Sequence, residues 1–490
     1  MNEKSRVASN LWIITCVICI TAFLIRLLGI GLYPLQDTSE ARYAEMARIM
    51  AETNDWITLW FDYNVPFWGK PPLFIWLSAL SFKVFGVNEF AARLPSILVS
   101  LGVIWFTYKL ALFQMGRIAG HLVLLILPTT GIFLALSGAI LAGPVMLLSI
   151  IMIQTGFWIG WHSDDPKQAD RWQYLFFIGC AIALLAKGLA ALVLAGLPIF
   201  FWCLPKKRLV KFWKKFPCIK GTLVTLLISA PWYIANEIQN PGFLHYFFIG
   251  EHFMRYLDSG WEGDRYGAAH AEAIGTIWPL WLGTSFPWSI AIVFLAGKWC
   301  VKRYKGRGLP LSDWQFFMLL LFSCPLLFFT FAKNIIWTYA LPAAPAMALL
   351  LADRWKNSWQ QHVKWMTGTA LLTPLLISVI TIFLANDKGK SSHKYFIELV
   401  KQQGLDDPQL LFLYGASFSS RFYSRGKIVS VNTIEALGEV LKDTTRRHAL
   451  IVSDNDFSSL PDELQQQFEP IGYYKKDTLY LNKVSGLTNR

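Results

Sequence analysis

The chain has 490 residues, 54% of them hydrophobic and only 16% charged, against roughly a quarter charged in soluble globular chains. Lys and Arg number 45 against 32 Asp and Glu, a formal net charge of +13. These figures exclude a disordered chain, a secreted disulfide scaffold and a basic nucleic-acid-binding tail, and they predict a protein whose main solvent is lipid.

Lys4 and Arg6 precede an apolar run over 11–25, and no small-residue cleavage site follows, which predicts an uncleaved first span rather than a signal peptide. Arg26 interrupts the run near its outer end. The stretch 34–90 is mixed: 42–50 has helical periodicity with one polar face, and 73–84 is a more apolar helix. Together they predict an outer loop of amphipathic helices lying along the membrane interface. Further spans are expected at about 94–113, 118–137, 139–160, 172–186, 189–204, 221–236, 273–297, 313–332, 335–352 and 365–385. The fold class expected for residues 1–385 is thus a polytopic all-α membrane bundle of about 11–13 transmembrane helices.

Charge orients the bundle. Residues 205–220 carry Lys206, Lys207, Arg208, Lys211, Lys214, Lys215 and Lys220 without an acid, and 298–307 carry Lys298, Lys302, Arg303, Lys305 and Arg307 without an acid. Both loops are cytoplasmic by the positive-inside rule, which puts 34–90, 237–272 and the C-terminal segment outside. The seven cysteines lie in apolar runs or beside the basic loops, so no disulfide framework is expected, and Cys16 and Cys19 read as packing residues of the first span.

Residues 386–490 lose the apolar runs. Strands are predicted at 410–414, 448–452 and 478–481 and helices at 395–403, 434–441 and 462–468, a small α/β extracytoplasmic domain. Its Asp454-Asn455-Asp456 stands alone in a loop and reads as a turn. No nucleotide or nucleic-acid motif occurs, so neither is expected as a partner.

The residues that carry chemistry gather in the outer loops. Asp37 and Glu40, three apart, share a helix face and can act as a base, hold a metal or stabilise a cation; the same pattern also fits a capping box. Lys70, fixed between Gly69 and Pro71-Pro72, can grip a phosphate as a point charge or snorkel at the interface. Lys187 in Lys187-Gly188 sits at an outer turn between two spans, within reach of a lipid phosphate. A fourth segment holds His245, Glu251, His252 and Arg255, followed by Asp264, Arg265, Tyr266 and His270. Its spacing matches no zinc rule, so a divalent metal is left open.

Several of these blocks are similar to a known family. Residues 37–50, Thr53-Asn54-Asp55-Trp56, Gly69-Lys70-Pro71-Pro72-Leu73, 85–96, Ala186-Lys187-Gly188, 245–255, Phe286-Pro287-Trp288 and 339–345 occur in order over about 10–355 and resemble the aminoarabinose transferases of lipid A. Those stand with the protein O-mannosyltransferases in the GT-C glycosyltransferase superfamily. The resemblance implies transfer of a sugar from a polyprenyl-phosphate donor to a lipid, glycan or protein acceptor, outside the bacterial inner membrane and by inverting displacement. It implies catalytic roles for Asp37 or Glu40, donor-phosphate binding by Lys70, Lys187 and Arg93, and a cavity with Arg42, Tyr43, His245, Glu251, His252 and Arg255.

Three departures from the family pattern stand out. The usual contiguous Asp-Glu pair is Ser39-Glu40, with Asp37 two residues earlier; Asp37 is the acid favoured for function. The glutamate that precedes Lys-Pro, a metal ligand in the aminoarabinose transferases, is Gly69, and an Asp-Pro of many relatives is Gly143-Pro144. A transporter or flippase of polyprenyl-linked sugars is the competing class; it accounts for the spans and lysines but poorly for an outer cluster of acids and histidines.

Overall fold

A computed structural model describes residues 3–254, 265–266, 272–305, 310–332, 334–386, 392–403 and 408–483. Seven of its helices are long and apolar enough to cross a membrane: Leu11–Gly29, Glu89–Met115, Ala142–His162, Pro166–Lys187, Cys218–Gln239, Asp313–Thr330 and Trp359–Asn386. Two more expected spans are bent pairs, Leu189–Cys203 with Arg208–Lys215 and Ile277–Thr284 with Trp288–Tyr304, each turning by 117°. The expected spans at 118–137 and 335–352 are built from shorter pieces, Arg117–Ile126 with Gly131–Leu136, and the 3₁₀ turn Trp337–Ala343 running into Ala344–Trp355. Apolar length is legible in sequence, but these breaks are set by prolines and by backbone packing.

One such break shows why. Pro128 lacks the N–H that would continue the helix after Ile126. The chain restarts at Gly131, whose N–H donates to the Phe286 carbonyl at 2.9 Å, inside the Ile277–Thr284/Trp288–Tyr304 bend. Trp288 Nε1 donates to Thr129 Oγ1 at 3.0 Å. Two interrupted helices therefore satisfy each other's freed backbone groups, as membrane depth demands.

The segments sort to two ends of the bundle. At one end lie the basic residues: Arg208 pairs with Asp313 at 2.5 Å, and Lys215 bonds the Trp161 carbonyl. At the other lie the Ser39–Thr53 and Leu73–Phe85 helices, the short hairpin of β1 (Trp60–Asp62) and β2 (Val65–Pro66), and the turn Tyr246–Met254. Polar residues of the 34–90 stretch are held there by buried ion pairs, such as Arg48 with Glu45 at 2.7 Å.

The C-terminal residues form the expected α/β domain. Its five-stranded sheet has the order β4-β3-β5-β7-β6, with β3 Gln409–Leu413, β4 Val429–Val431, β5 His448–Ser453, β6 Phe468–Tyr474 and β7 Asp477–Asn482. β3 is parallel to both β4 and β5, and β7 runs antiparallel to β5 and β6. The short strand β4 and the outer strand β6 were not legible in the sequence. Asp454 and Asp456 lie in a short helix capped by Ser453, in keeping with a turn role. The domain docks on the same end as the 34–90 stretch. Lys394 pairs with Glu89 at 2.7 Å and Arg421 with Asp62 at 2.5 Å, while the Tyr423 hydroxyl accepts from the Leu35 N–H at 2.8 Å and donates to Glu89 at 3.0 Å.

A Cβ placed at Gly131 would lie 2.7 Å from the Thr284 carbonyl oxygen and 3.0 Å from that of Phe286, both backbone atoms that cannot swing aside. Gly131→Val is therefore expected to destabilise the protein by about 1–3 kcal/mol or more, read as a lower Tm of the detergent-solubilised chain.

Candidate active site

The outer end is organised around Arg93. Asn88 caps the Glu89–Met115 helix by accepting from the Ala91 N–H at 2.8 Å, which sets Arg93 on the first turns facing inward. Its side chain is fully buried, and all five N–H groups are used. Nε and Nη2 hold Glu40 bidentately at 2.8 and 2.7 Å, Nη1 donates to the carbonyls of Ile30 and Tyr33 at 2.6 and 2.8 Å, and Nη2 reaches Pro34 O at 3.1 Å. The guanidinium also stacks 3.9 Å from the Tyr33 ring centroid. Arg93, expected at the donor phosphate, is instead consumed in shaping the 30–40 turn. Glu40 has the same fate. Burial raises its pKa, but the Arg93 charge and bonds and the Gln36 N–H more than offset this and hold it below the ordinary carboxylate range.

Asp37 stands apart from that pair. The Ser39–Thr53 helix has Thr38 at its N-cap with no side-chain cap, so neither acid plays the capping role that the pattern allows. The Asp37 carboxylate reaches across to the C-terminal domain. Oδ1 accepts from the Ser419 backbone N–H at 3.0 Å, Oδ2 accepts from the Ser419 hydroxyl, and His393 Nδ1 lies 4.0 Å away. Burial raises its pKa, and the Ser419 bonds and His393 only partly lower it.

A second cluster surrounds Lys70. Its ammonium pairs with the nearly buried Glu251 at 2.9 Å and bonds the Gly69 carbonyl at 2.5 Å. Glu251 is presented by the π-helical turn Tyr246–Met254, a rare form that is frequent at functional sites. On the same turn, His252 contacts the Phe247 carbonyl through Nδ1 at 2.8 Å and the Lys187 carbonyl through Nε2 at 3.3 Å. Burial, only partly countered by those carbonyls, holds His252 below its ordinary pKa. Lys187 ends its helix next to Gly188, whose φ of +72° turns the chain, and its ammonium lies 5.6 Å from the Tyr339 ring. A Cβ at Gly188 would sit 2.7 Å from Phe247 and 2.9 Å from His252, so glycine is required here for both conformation and space.

Tyr266 joins the clusters. Its carbonyl accepts from Arg42 Nη1 at 2.8 Å, and its hydroxyl donates to Pro66 O at 3.0 Å while accepting from the Trp68 N–H at 2.9 Å. Arg42 is otherwise ringed by Tyr43, Phe67 and Phe418 at 5.2, 6.0 and 5.8 Å, and its buried Nε has no partner among the described residues. Tyr43 is a buried packing residue, edge-on to Phe74 at 4.9 Å. His245 is exposed at the end of its short helix, outside the cluster. Arg255, Asp264 and His270 lie outside the described residues.

The metal implied by the family resemblance does not fit the residues described. No group of three or more His, Cys, Asp or Glu side chains converges among them. The space above Gly69, where the family places a ligand, is filled by Phe67 at 2.9 Å and Tyr266 at 3.3 Å from a Cβ position, and Glu251 is engaged by Lys70.

This architecture resembles that of the GT-C glycosyltransferases, with its polar constellation gathered at one end of a polytopic helical bundle beneath a small α/β domain. Residues 11–247 match the family described as dolichyl-phosphate-mannose-protein mannosyltransferase. The chain resembles the aminoarabinose transferases. It is 27% identical over 393 residues to the undecaprenyl phosphate-alpha-4-amino-4-deoxy-L-arabinose arabinosyl transferase of Shewanella sediminis, a match covering 78% of this chain and 66% of that one. For the Enterobacter sp. protein of the same name the figures are 27% over 341 residues, 67% and 57%, so the matched region spans about three fifths of these relatives' length. Among solved structures, ArnT from Cupriavidus metallidurans bound to undecaprenyl phosphate superposes with a TM-score of 0.78 at 17% identity, over 97% of this chain and 99% of that one, which establishes the shared fold.

The C-terminal contributors, Ser419 with His393, Ser417 and Asp477, were not singled out from sequence. The only signal was three serines, Ser417, Ser419 and Ser420, in the stretch Gly415-Ala416-Ser417-Phe418-Ser419-Ser420 that follows a strand.

Two measurements test this geometry. Arg93→Ala leaves Glu40 buried without its partner and is expected to cost about 3–5 kcal/mol, with Arg93→Lys failing to restore the bidentate hold; thermal unfolding reads both. Because the folded state resists protonating His252, its contribution to stability is complete above the unfolded value near ~6.5 and falls as pH drops through it. Between pH 7 and 5 the Tm should therefore fall less in His252→Gln than in the unaltered protein.

Proposed function

We propose that this chain is a membrane glycosyltransferase that moves a sugar from a polyprenyl-phosphate donor to an envelope acceptor, lipid A, another glycolipid, a glycan or a protein, at the periplasmic face of the bacterial inner membrane. The observation that carries the reading is the outer-end constellation. One carboxylate, Asp37, is withheld from arginine pairing while its neighbour Glu40 is consumed by Arg93, and two lysines stand at the same end. The basic segments at the opposite end support the orientation.

In this reading the apolar tail of the donor lies against the spans and its phosphate comes to the outer end. Lys70 and Lys187 neutralise the phosphate as it departs, lowering the barrier by stabilising developing charge. To do so Lys70 exchanges Glu251 for the phosphate. Asp37 accepts the proton of the acceptor hydroxyl or orients it, and attack from the opposite face of the sugar inverts its configuration. Where the acceptor is itself a phosphate, the role of Asp37 is positional. Arg42, with a spare donor between three rings, suits an anionic or hydroxyl-rich acceptor. The aromatic wall of Phe67, Trp68 and Tyr266 excludes water from the leaving bond.

The test is mass spectrometry of envelope lipids and glycans in three strains: the unaltered one, a deletion, and the deletion carrying Asp37→Asn. A sugar-loaded polyprenyl phosphate should accumulate in the latter two while one envelope species loses that sugar. Lys70→Met should reduce turnover by about 10²-fold or more. No change in any species with the protein present would refute the transferase reading.

A further inference from the structure

In the C-terminal sheet, β4 and β5 flank β3 on opposite sides and both run parallel to it. The strand order therefore reverses at β3. In open sheets with such a reversal, ligands bind in the crevice beyond the carboxyl ends of the strands, at the switch point. Here that end is built from the turn after β3, where Tyr414 and Gly415 have φ of 61° and 103°, from Ser453 at the end of β5, and from Asp477, which pairs with Ser453 at the start of β7. His393 and Ser417 line the same place.

What occupies it is a carboxylate from the other domain. Asp37 presents both oxygens to Ser419, one to its backbone N–H at 3.0 Å and one to its hydroxyl. Behind Ser419 the hydrogen bonds continue without a gap. Ser419 Oγ lies 3.2 Å from Ser417 Oγ, Ser417 Oγ lies 2.8 Å from His393 Nδ1, and His393 Nε2 lies 3.1 Å from Asp477 Oδ2. Domain docking alone does not call for this chain, because Lys394–Glu89, Arg421–Asp62 and the Tyr423 bonds already join the domains through other residues.

We propose that Ser419 and His393, the latter braced by Asp477, are positioning residues for the Asp37 carboxylate, so that the C-terminal domain completes the site by aiming its acid. The proposal rests on the reading of Asp37 as the functional acid. Ser419 fixes the two oxygens in one orientation and leaves their remaining lone pairs for the acceptor hydroxyl. His393 is the titratable group that acts on Asp37, with Asp477 behind it, while Glu40 on the same turn is neutralised by Arg93. The bonds from Ser419 favour the ionised form of Asp37, so losing them raises the pH at which the acid is spent.

The experiment uses the full chain in lipid nanodiscs and, as donor, the sugar-loaded polyprenyl phosphate that accumulates in the deletion strain. Ser419→Ala and His393→Gln are expected to lower kcat by about tenfold or more, to leave the donor KM within about twofold, and to move the acidic limb of the pH profile upward. Arg421→Gln, which breaks a docking contact that does not touch Asp37, should keep the unaltered kcat. Independently of turnover, Asp37→Asn should speed deuterium exchange in the peptide covering 417–423, which reads the grip on folded protein. Unchanged kcat and pH profile in both Ser419→Ala and His393→Gln, with Asp37→Asn inactive, would overturn the positioning role and leave Asp37 in place. Normal turnover by Asp37→Asn would overturn both, and an equal loss in Arg421→Gln would reduce the contacts to docking.

Discussion

The buried Arg93–Glu40 pair is the constraint on which the outer end depends. A fully buried guanidinium is tolerated only when every donor is used, and here the acceptors are one carboxylate and three carbonyls of the turn that follows the first span. The pair therefore ties the end of the first span to the start of the Glu89–Met115 helix and sets where the Ser39–Thr53 helix begins. With Glu40 committed, Asp37 is the acid of that turn left to reach outward, and the C-terminal domain receives it.

The same end is held by contacts that each cross between distant parts of the chain. Lys70 meets Glu251 across 181 residues, Arg42 meets the Tyr266 carbonyl across 224, and Ser419 meets Asp37 across 382. Side chains from four separate stretches are thereby brought together without a continuous motif. This is the arrangement expected of a site grafted on a scaffold, where the bundle supplies rigidity and the loops supply chemistry.

Much of this was legible in the sequence, and the remainder fails for identifiable reasons. Apolar length and basic loops gave the bundle and its two ends because lipid burial imposes a simple pattern on composition. The lysines and the acid block stood out because charge is costly near lipid. The engagement of Arg93 is not legible because sequence shows that a guanidinium is present but not that five acceptor atoms surround it. The bends at 284–288 and 126–131 escaped notice because they satisfy one another across the bundle, a tertiary fact with no local signature. Ser419 and His393 were invisible for the opposite reason: serines after a strand and a lone histidine are ordinary in a soluble α/β domain, and only docking gives them a carboxylate to hold.

The ionic contacts described at the outer end leave its principal charges paired: Lys70 with Glu251, Arg93 with Glu40, Arg421 with Asp62 and Lys394 with Glu89. These pairs differ in what an incoming anion can do to them. Arg93 is enclosed and bidentate, so exchange there would strand a buried acid. Lys70 holds Glu251 by a single contact, on a π-helical turn whose hydrogen bonds are already irregular. The Glu251 carboxylate, only 4% exposed, is carried by the turn that also bears His252 and touches Lys187. In the proposed reaction a phosphate between two lysines competes with the Glu251 carboxylate for Lys70, which links donor binding to the Tyr246–Met254 turn that carries Glu251.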